Sequence, residues 1–276
     1  MIIYDPSNKK AFGDPLFDEN GITFRYLSVR KGLSKFIPYG PSVSDYEALE
    51  IAAEKVAKLK CLKLKVDLPN IFNDQVREKI VTDFEKKGFK KAKYLVDDQT
   101  IIIEKDKFNI EKKDRYYVRK SKENFDFEIK SSLTQEEVNK VYEIYLESAS
   151  RKNFRPKRIE VFELHKIKTH SVLAKQGEKI MGFVLGEIVD ILDEEHYDVL
   201  YNLYTAAHDE AFEKYVGYGM YETWLSNAFE KGISKVDMYG AKEGSAYATF
   251  KRKFVYKNEM NSTKKLPGSF IKYKFF

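Results

Sequence analysis

Cysteine and histidine are scarce in this chain, and each scarcity excludes a class of protein. The single cysteine among the 276 residues, Cys61, excludes a disulfide within the chain. The four histidines, His165, His170, His196 and His208, are scattered and form no zinc-binding pattern. The sequence therefore excludes a disulfide-rich scaffold, and we expect no metal site.

Long apolar runs are also lacking. No stretch approaches the roughly 18 apolar residues that a membrane-spanning helix needs, and the opening MIIYDPSNKK does not have the order of a signal peptide. The sequence contains no phosphate loop of the G-x-x-x-x-G-K-[ST] type and no serine, cysteine or histidine constellation for covalent catalysis. We therefore expect a cytoplasmic protein without a transmembrane segment.

Charged and apolar residues, in contrast, are abundant. The chain is 43% hydrophobic and 33% charged, which is typical of a globular protein with a large core. Its formal charge of +6 favours an anionic partner such as phosphate, nucleic acid or an anionic membrane surface. At about 150 residues per domain, the length favours two domains.

The two halves of the chain show a similar order of predicted elements. The first half reads as strands at 22–29, 33–39, 61–68, 92–96 and 100–104, with helices at about 44–60 and 74–88. The turn at 30–32 predicts a hairpin between the first two strands, and Gly88 is expected to end the second helix in the left-handed conformation. The second half reads as strands at 125–129, 171–175, 180–189, 199–206 and 234–238, with helices at about 158–167, at about 220–231 and from Thr134, which is predicted to form a capping box with Glu137. This repetition predicts a duplicated α/β unit of the α+β type, divided into residues 1–123 and 124–276, and not a doubly wound parallel sheet.

A glycine-containing segment precedes the predicted helix at 220–231. Lys214, Gly217 and Gly219 form the pattern basic-x-x-G-x-G, and glycines before a helix expose backbone N–H groups that suit a phosphate. The segment resembles the acyl-CoA loop of GNAT acyltransferases, with lysine in place of the usual arginine or glutamine. A plain helix start that contains glycines is the alternative interpretation.

A second basic stretch lies at 111–122. Arg115 and Arg119 are four residues apart, so a helix places them on one face, where they could bind phosphate. A solvated helix flank is the alternative.

The segment at 233–255 is the strongest candidate for chemistry. A strand is followed by a predicted turn at Gly240, and Lys251 and Lys253 then lie between Phe250 and Phe254. The two rings could anchor the segment while an ammonium group points into a cleft. The alternative is a solvated basic edge strand.

Four stretches together resemble the Fem aminoacyltransferases. The segment FIPYGP at 36–41 is similar to the family's I-P-R-G-P loop, with Tyr39 where arginine is usual. TIIIE at 100–104 resembles T-x-x-x-D, with Glu104 replacing aspartate, and RYYVRK at 115–120 resembles R-x-x-I-R-K. VDMYGA and YATFKRKF resemble the Y-D-F-G-G and R-F-K-x-G-F pair, with Lys253 where glycine is common.

The resemblance implies a fold and a reaction. The fold is two tandem GNAT-like domains with a cleft between them, in the family's compact subgroup, with a last strand near 270–275 that returns to the first domain. The reaction moves an amino acid from charged tRNA to an amine of a UDP-linked or lipid-linked cell-wall precursor, without a covalent intermediate or a cofactor. A peripheral contact with the inner face of the membrane is also implied.

The resemblance assigns roles to particular residues. Lys251 stabilises the oxyanion, Phe250 shapes its position, and Glu104 matches the acidic residue of the T-x-x-x-D strand. The residues that contact the precursor are Tyr204, Arg155 and Tyr39. The residues that contact donor phosphates are Lys214, Gly217, Gly219, Arg115 and Arg119.

Two other classes of function stay open at this point. One is an acyl-CoA-dependent N-acyltransferase, which the loop at 214–219 would serve directly. The other is a non-catalytic module that binds RNA or a wall precursor.

Overall fold

The structure, a computed structural model, describes residues 99–154, 156–157, 159–191, 197–241 and 244–255, together with shorter pieces of both ends. The pieces are 14–19, 22–30, 33–39, 63–67, 82, 85–86, 88, 90–91, 263–265 and 269–273. The helix predicted at 44–60, the strand predicted at 92–96 and Arg155 lie outside the described residues. Of Tyr39, only the backbone is described.

The first sheet has six strands in the order β1-β2-β3-β4-β13-β5. Their bounds are β1 Asp14–Glu19, β2 Ile22–Arg30, β3 Leu33–Tyr39, β4 Lys63–Asp67, β5 Lys90–Lys91 and β13 Ser269–Tyr273. The predicted hairpin is confirmed, since β2 pairs antiparallel with β3. Gly88, expected to end a helix in the left-handed conformation, has a φ of 80°.

The second sheet has seven strands in the order β12-β6-β11-β10-β9-β8-β7. Their bounds are β6 Gln99–Glu104, β7 Asp126–Lys130, β8 His170–Gln176, β9 Lys179–Ile191, β10 Tyr197–Ala207, β11 Lys235–Ala241 and β12 Thr263–Lys265. The strands predicted in the second half of the chain are all present within a few residues.

Each sheet contains a single parallel pair among its described strands, β3 with β4 and β10 with β11. The other pairings are antiparallel, so the predicted α+β fold is confirmed. Pairing also crosses between the halves of the chain. Strand β6 pairs with β11 in the second sheet, and the last strand, β13, pairs with β4 in the first. The division of the chain at 123/124 stays a prediction.

Helices cover both faces of the second sheet. Their bounds are α1 Lys112–Asn124, α2 Gln135–Arg151, α3 Ile159–Glu163, α4 Asp209–Glu213, α5 Val216–Glu230 and α6 Ala246–Lys251. The predicted capping box is present, because the Thr134 hydroxyl accepts from the Glu137 N–H and the Glu137 carboxylate accepts from the Thr134 N–H.

Two apolar clusters hold these layers together. One contains Tyr221 and Trp224 of α5 with residues of β6, β9, β10 and β11, and the other contains residues of α2 and α3 with Leu173, Phe183 and Ala206. Neighbouring positions along a strand face opposite sides, so β10 contributes to both clusters. None of the described helices is both long and apolar enough to cross a membrane.

Candidate active site

A wedge opens between the two parallel strands of the second sheet. Strands β10 and β11 pair only from Val199 to Tyr201 and from Lys235 to Asp237, although β10 continues to Ala207 and β11 to Ala241. Backbone groups just past the last pair are released from this ladder. Open sheets bind ligands at the carboxyl ends of adjacent strands, so the wedge is a candidate ligand-binding site.

Lys251 lies at the wedge, and its side chain is buried with 1% exposure. Its ammonium group donates a hydrogen bond to the carbonyl oxygen of Met238, the first residue of β11 beyond the parallel pairing. The same nitrogen lies 4.1 Å from the centre of the Tyr247 ring. A buried cation is costly to desolvate, so its position indicates a role for the charge.

The alternative reading of this basic run as a solvated edge strand is wrong. Residues Ala246–Lys251 form α6 and residues Arg252–Phe254 a 3-10 turn, so the segment is helical. The predicted turn at Gly240 is also wrong, since Gly240 pairs with Thr100 within β11. The left-handed glycine is Gly244, with a φ of 75°, and it precedes Ser245, whose hydroxyl accepts from the Ala248 N–H and begins α6.

A chain of polar side chains reaches from β10 to the ring beneath Lys251. The Asn202 amide donates to Thr205 Oγ1 at 3.1 Å, and Thr205 Oγ1 lies 2.9 Å from the Tyr221 hydroxyl. The Tyr221 hydroxyl lies 3.2 Å from that of Tyr247. Burial raises the pKa of Tyr221 well above its usual value, and the neighbouring Tyr247 raises it further, so the phenol stays neutral.

A β-bulge makes this chain possible. Asn202 pairs opposite Gly186 and Tyr204 opposite Leu185, so Leu203 is the extra residue. In a regular strand, Asn202 and Thr205 would face opposite sides of the sheet, because they are an odd number of residues apart. The bulge brings both onto the face that α5 covers, next to Tyr221.

Phe250 packs between the Lys251 segment and the amino end of α5. Its ring centre lies 5.1 Å from that of Tyr218 and 5.7 Å from that of Tyr221. A Cβ at Gly217 would lie 3.3 Å from the Phe250 ring. The structure thus brings together Lys251, Phe250 and Gly217, three of the predicted site residues.

The helix α5 begins earlier than predicted. Its first residue is Val216, so Gly217 and Gly219 lie inside the first turn and not in a loop before it. Glycine disfavours a helix, which explains the late prediction. At Gly219, a Cβ would lie 2.3 Å from the Phe127 ring and 2.6 Å from Ser121 Oγ, so close packing requires glycine there. Lys214 is half-buried at the end of α4, close to this turn.

Lys253, two residues beyond Lys251, has a carboxylate partner. Its ammonium lies 3.2 Å from Asp114 Oδ1 and also donates to the Tyr218 hydroxyl. Asp114 is only 2% exposed, on a helix otherwise rich in cations. Desolvation lowers the pKa of Lys253, but the hydrogen bonds to Tyr218 and Asp114 outweigh it and raise the pKa above the ordinary value. This pair ties α1 to the segment after α6.

Tyr204 lies on the opposite face of the sheet from Tyr221. Its ring packs 4.7 Å from Phe162 and 5.8 Å from Tyr145, measured between ring centres. Tyr145 in turn contacts Phe154, which is 41% exposed and precedes Arg155. Of the predicted precursor contacts, Tyr204 therefore lies in an aromatic cluster that extends to the carboxyl end of α2.

That end of α2 also reaches the wedge. The Lys152 ammonium lies 5.9 Å from the Tyr247 ring centre, so the ring of Tyr247 lies near two lysines, Lys251 and Lys152. The structure connects the predicted precursor region to the predicted catalytic lysine through this ring.

Glu104 lies apart from Lys251. It is the last residue of β6 and pairs opposite Lys235 of β11. Lys235 precedes Met238 by three residues, which is about 10 Å along the strand. Its carboxylate pairs with Lys107, and both side chains are about one-third exposed, at 37% and 35%. The catalytic role of Glu104 stays a prediction that these contacts do not favour.

Arg115 and Arg119 line a separate groove of about 490 Å³ beside α1. Lys122 shares that face of the helix and lies 2.6 Å from Glu222 of α5. The other residues that line the groove are Phe108, Asn109, Ile110, Val118 and Glu222 itself. Arg115 Nε donates to the Ile110 carbonyl at 2.8 Å, which orients the guanidinium. Three cations on one face and an apolar wall can accommodate an anion with an apolar part.

Sequence reasoning missed Tyr221, Tyr247, Thr205 and Asp114. The signal for Tyr247 was present, because it lies four residues before Lys251 and a helix brings such residues together. Asp114 was hidden in a run of charges that is typical of a solvated face. Within the described residues, no group of three or more His, Cys, Asp or Glu side chains could hold a metal ion.

Solved structures of other proteins share this architecture. No protein-family model matches the chain, and no curated protein matches it in sequence. The structure of FemX matches with a TM-score of 0.61 at 17% identity, over 92% of this chain and 84% of that one. The structure of L-PGS from Bacillus licheniformis matches with a TM-score of 0.57 at 15% identity, over 94% and 83% of the two chains.

A third match points to the same fold. A tandem GNAT protein from the clavulanic acid biosynthesis pathway matches with a TM-score of 0.54 at 11% identity, over 92% of this chain and 79% of that one. At these identities the likeness shows the fold alone. The chain therefore has a Fem-like tandem GNAT fold, as its four motifs predicted.

Proposed function

We propose that this protein is an aminoacyltransferase that moves an amino acid from charged tRNA to an amine of a cell-wall peptide precursor. The observation that carries the proposal is the Lys251 ammonium, buried at the wedge between β10 and β11. The fold and the Fem-like motifs around this lysine support it. Such a reaction takes place in the cytoplasm, where charged tRNA is present.

The chemistry needs a stabilised oxyanion. The neutral amine nitrogen attacks the ester carbonyl carbon of the aminoacyl-tRNA, a C–N bond forms, and the carbonyl oxygen becomes negative. Collapse of this intermediate breaks the bond to the ribose oxygen, which takes up a proton as the amine nitrogen loses one. A preorganised cation at the developing oxyanion typically contributes about 3 kcal/mol, or 10² to 10³ in rate.

Lys251 is suited to this role because its surroundings reduce its freedom and exclude water. Its contacts include the Met238 carbonyl and the Tyr247 ring, and Phe250 packs against the amino end of α5 beside it. A cation also disfavours a second positive charge nearby, so an acceptor amine close to Lys251 would lose its proton more readily. The nucleophile would then form without a dedicated general base.

We assign the donor's phosphates to the basic surfaces outside the wedge. The groove lined by Arg115 and Arg119 is one such surface, and the first turn of α5 beside Lys214 is the other. Phosphate contacts carry little sequence information, which suits an enzyme that recognises tRNA by its backbone.

We assign the acceptor to the aromatic side of the sheet. Tyr204 packs in the cluster that includes Tyr145 and Phe154. Arg155 follows Phe154 in the sequence, and its guanidinium would bind phosphates or carboxylates of the precursor. Tyr39, in the loop that resembles I-P-R-G-P, would contribute from the first sheet. The precursor is UDP-linked or lipid-linked, and in the second case the protein approaches the inner membrane face.

A second candidate is an N-acyltransferase that uses acyl-CoA. It is favoured by the wedge next to the amino end of α5, since the amino end of a helix suits a pyrophosphate. In that case acyl-CoA replaces the charged tRNA as donor, and the role of Lys251 is unchanged.

A transfer assay decides between the candidates. Purified protein is incubated with a mixed pool of tRNAs charged with labelled amino acids and with candidate wall precursors, and in parallel with acetyl-CoA and the same acceptors. We expect the labelled amino acid to pass from tRNA to the precursor amine. This transfer should be abolished when the charged tRNA is treated with ribonuclease beforehand. Transfer from acetyl-CoA alone would contradict the proposal and select the second candidate. If neither donor supports transfer, both candidates fail.

A further inference from the structure

The hydroxyl of Tyr221 makes one more contact than burial requires. Tyr221 is 1% exposed inside an apolar cluster, where phenylalanine would fill the same volume. A buried hydroxyl without a partner costs about 1–3 kcal/mol, but Thr205 Oγ1, at 2.9 Å, already provides one. The second contact, 3.2 Å to the Tyr247 hydroxyl, is therefore not needed to satisfy Tyr221.

Tyr247 does not need that contact for its own sake either. Its side chain is 41% exposed, so water could satisfy its hydroxyl. The effect of the contact is to hold the ring in one orientation. The face of that ring lies 4.1 Å from the Lys251 ammonium, well inside the roughly 6 Å range of a cation–π interaction.

Lysine benefits from such restraint more than most side chains. Its long stem has about 2 kcal/mol of rotamer entropy, and an oxyanion donor is effective only when it is already in place. The Met238 carbonyl restrains the ammonium from one side, and the Tyr247 ring restrains it from another. The ring is itself anchored through Tyr221 to β10.

We propose that Tyr221 and Tyr247 are positioning residues that hold the Lys251 ammonium at the wedge for the transfer reaction. The inference rests on the proposed function, because it concerns the chemical step of that reaction. The polar chain ends at the Asn202 amide, which is a poor proton acceptor, so the chain orients groups and carries no proton.

The test is a double-mutant cycle on turnover. Tyr221→Phe and Tyr247→Phe each remove one hydroxyl and keep the ring, so folding is retained. We expect each to lower kcat by about tenfold with KM changed less than about twofold, since only the transition state is affected. Because both substitutions break the same contact, the double variant should also lose about tenfold and not about a hundredfold.

Two further variants separate the ring from its hydroxyl. Tyr247→Leu removes the ring face and should lower kcat well beyond Tyr247→Phe, toward the value of Lys251→Met. In the Lys251→Met background, Tyr221→Phe should have no additional effect on kcat. Thr249→Val is the matched control, since it removes an exposed hydroxyl from the same helix, one that donates to the Ser245 carbonyl at 3.1 Å, and kcat should not change.

The outcomes distinguish this inference from the proposed function. Wild-type transfer that survives both Phe substitutions, or losses that multiply in the double variant, would overturn the inference and leave the aminoacyltransferase standing. A wild-type protein that transfers nothing from any charged tRNA would overturn both.

Discussion

Two lysines of one short segment, Lys251 and Lys253, have opposite environments. Lys253 pairs with the carboxylate of Asp114 and donates to Tyr218, and its side chain is 31% exposed. Lys251 is buried, and its contacts include a neutral carbonyl and a neutral ring. The neighbouring positions thus differ in their burial and in their position relative to the wedge.

The difference indicates a division of labour. A partly exposed cation that pairs with a buried carboxylate chiefly stabilises the fold, whereas a buried cation at the open end of the wedge is placed to act on a bound ligand. We therefore expect Lys251 to act on chemistry and Lys253 on stability.

The largest effect is expected for Lys251→Met, which keeps most of the aliphatic stem and removes the cation. Turnover should fall by about 10² or more while precursor affinity changes little, because the interaction exists chiefly in the transition state. Steady-state kinetics of transfer, with precursor binding measured by calorimetry, give both quantities. Near-normal turnover with weakened binding would make Lys251 a substrate anchor, and Arg252 or a backbone N–H would be the next oxyanion donor to test.

Lys253→Met should show the reverse pattern. Removing the lysine leaves Asp114 buried without this partner, and allowing for the partial exposure of Lys253, the free energy of unfolding should fall by about 2 kcal/mol. Turnover at a permissive temperature should stay within about threefold of wild type.

Urea denaturation measures the stability of this variant. Lys113→Met is the control, since Lys113 is 67% exposed and lies 3.4 Å from Glu111, and it should cost no more than about 0.5 kcal/mol. If Lys253→Met abolished turnover and left stability unchanged, the two lysines would have to exchange roles.

The contrast between these lysines could be predicted only in part from the sequence. Alternating apolar residues and turn signals predicted the strands and the hairpin, and the motif around Phe250 predicted which segment would carry the lysine of the candidate site. Burial was not predictable, because a run such as Lys-Arg-Lys is typical of a solvated face. Asp114 lies 139 residues before its partner Lys253, and no local pattern reports such a contact.

The positioning tyrosines were missed for a related reason. Tyr221 and Tyr247 are 26 residues apart in sequence, and their hydroxyls meet through the packing of α5 against α6, which no local pattern reports. The start of α5 was predicted too late because glycine disfavours a helix. The first turn of α5 nevertheless contains glycines, because it packs closely against Phe127 and Phe250. Tertiary contacts overrode local preference at both places.

A third region, around His165, should lower the free energy of unfolding in acid, independently of the two lysines. Burial lowers the pKa of His165 to about 3, whereas the unfolded value is about 6.5. The unfolded chain therefore binds a proton below about pH 6.5 while the folded protein does not until about pH 3, and stability falls as pH falls through this window.

At about pH 5.5 the contribution of His165 is a loss of about 1.5 kcal/mol relative to pH 8. His165→Asn, which can keep a hydrogen bond to Thr169, should lack that part of the loss. Urea denaturation at the two pH values measures it. His170, whose pKa burial also lowers, to about 4, should account for a remaining loss in the variant. An equal pH dependence in wild type and variant would contradict the assignment.

The exposed cations of α1 extend the comparison to charges that face solvent, and here the smallest effect is expected. Arg115 and Arg119 line the groove, while Lys113 and Lys120 lie on the other side of the same helix. Each phosphate that a cation neutralises releases counterions, so the affinity for tRNA should fall steeply with salt. Replacing Arg115 and Arg119 together by alanine should reduce the slope of log affinity against log salt by about 2, without changing stability or single-turnover rate at saturating tRNA.

Lys113→Ala with Lys120→Ala removes the same charge from the same helix and should leave the slope nearly unchanged. Anisotropy of a labelled tRNA over a range of salt concentrations measures both pairs. Equal slopes for the two pairs would mean that the groove does not hold the phosphates, and the surface beside Lys214 at the start of α5 would then be the site to test.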